Sequence, residues 1–257
     1  MSLRRIFLLA LAFAGFATVA GAESAHDIVA GADRVRNPEK PFHIIAIVIQ
    51  YKSGEAVDRN VFSVYSKLDP ATGQFRDVMR YAEPPRDAGK MLLLSGTTLW
   101  FYDPAARQSV RISPQQKLSG QASAGDVLTE NLAVAYTPTL LGSETIQDGN
   151  RLQRICWHLD LKAANDVATY NRVEYWVEKD TDYPIKARFY ADSGGLLKTL
   201  YYRNFIKRGD RMMPAQAVII DGADATLVTT VDLGEPHYQD IPDAWFERDY
   251  LPHLTLE

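Results

Sequence analysis

The loop Asp192-Ser193-Gly194-Gly195 sets a serine between an acid and two glycines, the arrangement around the nucleophile of trypsin-like serine proteases. That chemistry needs a histidine base oriented by a buried acid. The five histidines, His26, His43, His158, His237 and His253, stand in no recognisable partner motif, and Ala191 sits where the protease loop opens on glycine. Flanked by strand-like runs, the four residues read as a hairpin turn. The histidines also lack a pair four apart with a third ligand, so no metal site is expected. Gly194-Gly195 follows a strand without opening a helix, which argues against a phosphate cradle. Asp180 with Asp182, and Asp240 with Asp243, lie in polar runs and read as solvated turn residues. Since no set of acid, base, nucleophile and metal emerges, the chain is read as a non-enzyme without a cofactor.

A second group of residues suits binding. From Gly96 to Ser123 an aromatic, β-branched run (Thr97 to Tyr102) meets a turn at Asp103-Pro104 and returns through Arg107 to Ile112, which predicts a β-hairpin. Arg107 and Arg111, four apart on a strand, would point to one side, as a solvated face or as a seat for phosphate or carboxylate. Trp100, Phe101 and Tyr102, with Trp157, Tyr175 and Trp176, suit either a β core or the lining of a cavity for an apolar ligand. The single Cys156, in the run ICWHL, cannot form an internal disulfide and reads as a buried, inert thiol.

The segments that must carry these residues begin behind an export signal. Arg4 and Arg5, an apolar run from Ile6 to Val19 and Ala20-Gly21-Ala22 form a signal-peptide pattern, with cleavage expected after Ala22 and a periplasmic product. No cysteine stands at that site for a lipid anchor, and no later apolar run reaches the roughly 20 residues of a membrane span. Residues 23–257 suffice for one large β domain, the preferred organisation. The 28 basic and 32 acidic residues leave a net negative charge that disfavours nucleic acid.

In the mature chain, Ser24 to Arg36 predicts a short amphipathic helix stopped by Asn37-Pro38. Phe42 to Tyr51 is apolar on both alternating faces and predicts a strand covered on both sides. Asp126 to Val134 predicts a helix of two to three turns, with Ser123 ahead of it. From Leu140, turn signals recur every eight to twelve residues or so, which predicts a strongly curved antiparallel sheet of about ten strands in all. Ile155, Trp157, Leu159 and Leu161 share one face of their strand, as do Val173, Tyr175 and Val177 of theirs. Two short helices cannot cover such a face, so the sheet either closes into a barrel or leaves a groove.

The residues alone stop at a secreted β-rich domain. Trp100, Tyr102, Pro104, Arg107, Arg111, Ile112 and Ser113, however, resemble a segment of the periplasmic outer-membrane lipoprotein-sorting proteins, the LolA-like and LolB-like carriers. In the same order follow Ser123, Gly125, Asp126, Asn131, Tyr136, Leu159 to Leu161, Tyr170, Trp176-Val177, Pro184, Lys186, Tyr190, Ser193-Gly194, Leu197-Lys198 and Pro214, then Ile241-Pro242-Asp243, Phe246 and Tyr250-Leu251. The first sixty or so mature residues carry little of the match. The resemblance implies a mainly β fold with short helices, a curved antiparallel sheet forming a half-open β-barrel with a helical lid. It further implies a monomeric carrier or chaperone for lipoprotein acyl chains or another lipid, touching membrane surfaces transiently and serving the outer membrane or an RND/MMPL-type transporter. Its cavity lining is assigned to Trp100, Tyr102, Ile155, Trp157, Leu159, Val173 and Tyr175. A non-enzymatic interaction subunit of an envelope complex, with no ligand of its own, is the other reading. N-terminal sequencing of periplasmic protein is expected to begin at Glu23; a retained Met1 would refute export.

Overall fold

The structure, a computed structural model, describes residues 23–165 and 168–254, so the expected signal peptide falls outside the described residues. Helix α1 (Ala25–Arg36) leads into strands β1 (Phe42–Lys52), β2 (Glu55–Leu68), β3 (Phe75–Glu83), β4 (Met91–Ser95), β5 (Thr98–Asp103) and β6 (Gln108–Ile112). A small ribbon, β7 (Lys117–Ser119) with β8 (Ala122–Ser123), precedes two single-turn helices, α2 (Ala124–Val127) and α3 (Leu132–Ala135). The second meander is β9 (Tyr136–Gln147), β10 (Gln153–Ala163), β11 (Arg172–Glu178), β12 (Pro184–Tyr190), β13 (Leu196–Arg208), β14 (Arg211–Asp221) and β15 (Leu227–Leu233). Strand β16 (His237–Tyr238) and two 3-10 turns, Asp243–Phe246 and Arg248–His253, follow.

Both meanders join in one open, curved, 14-stranded antiparallel sheet because β1 pairs with β15, leaving β6 and β9 at the ends of the order. Short connections dictate this: they allow neighbours to pair antiparallel and leave no room for crossovers. The fold is the expected half-open barrel, with more strands than the turn signals suggested. The β5–β6 hairpin also forms as predicted, with Trp100 opposite Arg111 and Tyr102 opposite Ser109. Arg107 lies in its turn at φ 52°, not on the strand, so it does not share a strand face with Arg111.

Alternation along the strands sorts side chains into two layers. The inner layer gathers Phe42, Ile44, Ala46 and Val48 of β1, Phe62 and Val64 of β2, and Leu159, Leu161, Val173, Tyr175 and Val177 of β10 and β11. Ile28, Val29 and Ala32 of α1, with Val127, Leu128, Leu132 and Ala135 around α2 and α3, close over it. Helix α1 starts as its sequence predicts, with Ser24 Oγ accepting from Asp27 N at 3.1 Å. No helix among the described residues is long and apolar enough to cross a membrane.

Two expectations fail. The second helix is not continuous: Leu128 is extended, and residues 128–131 run across the sheet between two single turns. Thr129 N and Asn131 N donate to Asp77 and to Gln74 Oε1, so sheet side chains take the hydrogen bonds that a helix would have used. Strand β1 is not covered on both sides either: Ile45 is exposed and Ile47 half-buried. The outer face is covered elsewhere, where Tyr65, Val78, Met91 and Leu93 meet Ile241, Phe246 and Leu251 of the last segment. Arg76 stands 5.0 Å over the Phe246 ring and pairs with Asp243 at 2.7 Å. Phe246→Ala is expected to cost about 3–5 kcal/mol in urea unfolding and to make residues 240–254 the first site of limited proteolysis.

Candidate functional site

The region under the lid carries most of the buried polar groups. Segment 128–131 is fastened at its last residue: Gln74 Nε2 donates to Asn131 O at 2.7 Å, and Asn131 Nδ2 to Gly73 O at 2.6 Å. Helix α1 ties in from its C-terminal end, where Arg36 Nη2 donates to Glu130 O at 2.7 Å and Asn37 Nδ2 to Asn131 Oδ1 at 2.9 Å. Asp33 accepts from Ala133 N at 2.8 Å and from Arg36 at 2.8 Å. At the other end Asp126, opening α2, accepts from Ser123 N at 2.7 Å and pairs with Lys198 of β13. Ser123 Oγ and Tyr170 OH lie 2.7 Å apart in the same cluster. Gly125 is required here, since a Cβ would come within 2.3 Å of Thr169 Oγ1.

Two carboxyls in this region are held far from their ordinary state. Asp77 on β3 is fully buried, accepting from Ser66 Oγ at 2.5 Å and from Thr129 N at 3.2 Å, and burial pushes it up to about 7. Burial likewise pushes Glu130 up to about 8, against the opposing pull of Arg36, and among the described residues its Oε1 has no hydrogen-bond partner. Burial raises the Tyr175 hydroxyl well above its usual range, and that oxygen too is unpartnered.

A cavity of about 100 Å³ lies between the lid and the seam of β1, β13, β14 and β15. Arg36, Asn37 and Leu128 form its roof, Ile44, Val64, Leu200 and Val231 its walls, and Arg208 and Gln216 lie in its lining. A smaller one of about 40 Å³ adjoins it, sharing Arg36, Asp126, Leu128, Leu200 and Tyr202.

The residues expected to line a cavity divide between the two faces. Leu159, Val173 and Tyr175 are fully buried in the inner layer, and Val173 reaches the smaller cavity. Trp157 is half-buried with Lys179 Nζ 3.7 Å from its ring centre, while Ile155 on the same face is 60% exposed. Trp100 and Tyr102 are a correction. Leu99 and Phe101 point inward, so alternation turns the residues between and after them outward, where they join Phe246 and Leu251. Arg36, Asp77, Glu130 and Arg208 escaped notice, because Arg36 reads as a helix end and Arg208 as part of the Arg-Gly-Asp-Arg turn. Ser123 and Asp126 are legible as a helix start, whereas Tyr170 and Lys198 stand out only through the family resemblance. Ser193 lies exposed in the Ala191–Gly195 turn, closed by Ala191 N donating to Gly195 O at 2.9 Å. Cys156 is buried beside Trp176 and Ile185, and burial pushes its thiol up to about 12. Among the described residues no three His, Cys, Asp or Glu side chains gather as a metal site would need.

The model of a family described as "uncharacterized protein" matches residues 73–253. A LolA superfamily protein from Nitrosomonas europaea is 30% identical, with 88% of this chain and 99% of that one aligned at a TM-score of 0.78. The chain belongs to the LolA superfamily. A DUF1329 family protein from Desulfovibrio piger (22% identity, 88% and 97% of the chains, TM-score 0.72) has the same fold. So does a Vibrio parahaemolyticus domain described as an outer membrane lipoprotein-sorting protein (18% identity, 89% and 98%, TM-score 0.72). No curated protein matches.

The state of Asp77 gives the lid a pH dependence. A carboxyl raised from 3.8 to about 7 by folding stabilises the fold fully below its unfolded value, and that contribution is lost as pH rises through about 7. Asp77→Asn is therefore expected to flatten the stability profile between about pH 4 and 8. At the upper end it should raise the melting temperature above that of the wild type, measured by thermal unfolding across the pH series.

Proposed function

We propose that this chain is an envelope carrier that shelters the acyl chains of a lipid or a lipoprotein between the inner sheet face and the helical lid. One observation carries the reading: the lid is a set of short helices fastened to an unclosed, apolar sheet face by a few hydrogen bonds at buried polar groups. Such a cover can be exchanged for cargo, because apolar surface uncovered on opening, which costs about 25 cal/mol per Å², is covered again by an acyl chain. In that exchange Ile155, Trp157, Leu159, Val173 and Tyr175 are the lining residues, reached as α1 moves away. Membership in the LolA superfamily and the shared fold of the lipoprotein-sorting domain support the same role for one domain spanning residues 23–257.

The carrier acts as an exported, periplasmic monomer without catalytic function. It meets membrane surfaces transiently and delivers to the outer membrane or works with an RND/MMPL-type transporter. A second reading has its own support. Side chains fill much of the interior: the enclosed cavity beneath Arg36 and Leu128, about 100 Å³, is smaller than the about 150 Å³ that admits one benzene ring, and the pocket of about 280 Å³ between α1 and residues 131–134 is more open to solvent. A LolA-like subunit that binds only another envelope protein would look the same. Titration of the mature protein with a fluorescent fatty acid decides between them. The carrier is expected to bind at micromolar concentration with a shift in tryptophan emission, and Trp157→Asp to weaken uptake at least several-fold while circular dichroism is unchanged. Absence of any acyl binding would transfer the role to the interaction subunit.

A further inference from the structure

The polar groups around the larger cavity are unequally satisfied. Arg208 ends β13 with a side chain only 2% exposed, and its Nη2 donates to Leu233 O. Among the described residues its Nε and Nη1 have no hydrogen-bond acceptor; the carboxylate of Glu235, more than half exposed, stands 3.7 Å from Nε. Burial lowers the pKa of this guanidinium, with Glu235 and Tyr238 opposing. Across the cavity Arg36 spends Nη2 on Asp33 and Glu130 O, while its Nε also lacks an acceptor.

The other charges nearby are accounted for. Asp33 is matched by Arg36 and Asp126 by Lys198, and burial pushes the Glu130 carboxyl up to about 8, toward its neutral form. Three guanidinium nitrogens on two arginines of one cavity, Arg208 Nε and Nη1 and Arg36 Nε, thus lack a hydrogen-bond acceptor among the described residues. Leaving charged donors buried without acceptors is costly, and the guanidinium fork fits carboxylate and phosphate oxygens.

We propose that this cavity binds the oxyanion head of an anionic amphiphile, a carboxylate or phosphate monoester, through Arg208 Nε and Nη1 and Arg36 Nε. The volume of about 100 Å³ suits a head group and not a long chain. The apolar tail leaves along Ile44, Val64 and Leu200, which line the same space, and takes the place of Leu128 as the lid lifts. This assignment rests on the carrier reading and adds to it the charge and chemistry of the head.

The test compares dodecyl phosphate, dodecanoate, neutral dodecyl maltoside and inorganic phosphate by calorimetry on the mature chain, with Arg208→Met beside the wild type. The wild type is expected to bind the two anionic amphiphiles at least about tenfold more tightly than the maltoside. Arg208→Met should bring them to the maltoside level without weakening the maltoside. If that variant does not fold, the selectivity of the wild type alone decides. Inorganic phosphate binding as tightly as dodecyl phosphate would identify a free oxyanion as the ligand and overturn the amphiphile. Equal affinity for anionic and neutral heads would overturn the inference and leave the carrier reading standing. Absence of binding by every probe would overturn both.

Discussion

The pairing of β1 with β15 is the constraint on which the rest of this molecule depends. The register runs from Ala46 opposite Leu233 to Lys52 opposite Leu227, and Gly234 N extends it by donating to Ile45 O at 2.8 Å. Without this ladder the chain is two separate meanders, each with an apolar face too broad for the helices available. With it the faces form one surface. The seam also places Arg208 beside Leu233 and opens the larger cavity between Ile44, Val231 and the lid.

The lid combines apolar and polar attachment with different consequences. Ile28, Val29, Ala32 and Leu132 bury side chains in the inner layer and supply most of the favourable free energy. The hydrogen bonds at Asp77, Gln74, Asp33 and Asn131 contribute little net energy each, but they set where the lid lies, because breaking one leaves a buried group unsatisfied. Hydrogen bonds of this kind fix one closed position for the lid. Segments of low local stability are those that move when ligands bind.

On the outer face a different economy applies. Trp100 and Tyr102, near the middle of the sequence, meet Ile241, Phe246 and Leu251 near its end, and Arg248 lies 5.2 Å from the Trp100 ring centre. Several scattered residues of the family resemblance therefore gather into two places: Ser123, Asp126, Tyr170 and Lys198 under the lid, and these aromatic and aliphatic side chains outside. One anchors α2 to the sheet, and the other covers the sheet with the last segment of the chain.

Local rules made much of this legible in the residues themselves. Ser24 and Asn37-Pro38 mark the ends of α1, and the period-two alternation of Trp157, Leu159 and Leu161 correctly groups one face. The fold class follows from the spacing of turns, since short links allow only antiparallel neighbours. Alternation names two faces, however, without saying which one the helices will cover, and only the assembled sheet turns Trp100 and Tyr102 to the outer face. Helical periodicity from Asp126 to Val134 was overruled by Gln74 and Asp77, side chains more than fifty positions away that take up the backbone N–H groups. Arg36 and Arg208 belong to one cavity only because β1 and β15 meet, and a contact between strands so distant in the chain leaves no local pattern in either. Residue types and short spacings thus determined the elements and their amphipathic faces. The closure of the sheet, the path of the lid and the two arginines beneath it were decided by tertiary structure, because desolvation and the matching of donors with acceptors exist only once distant segments are in contact.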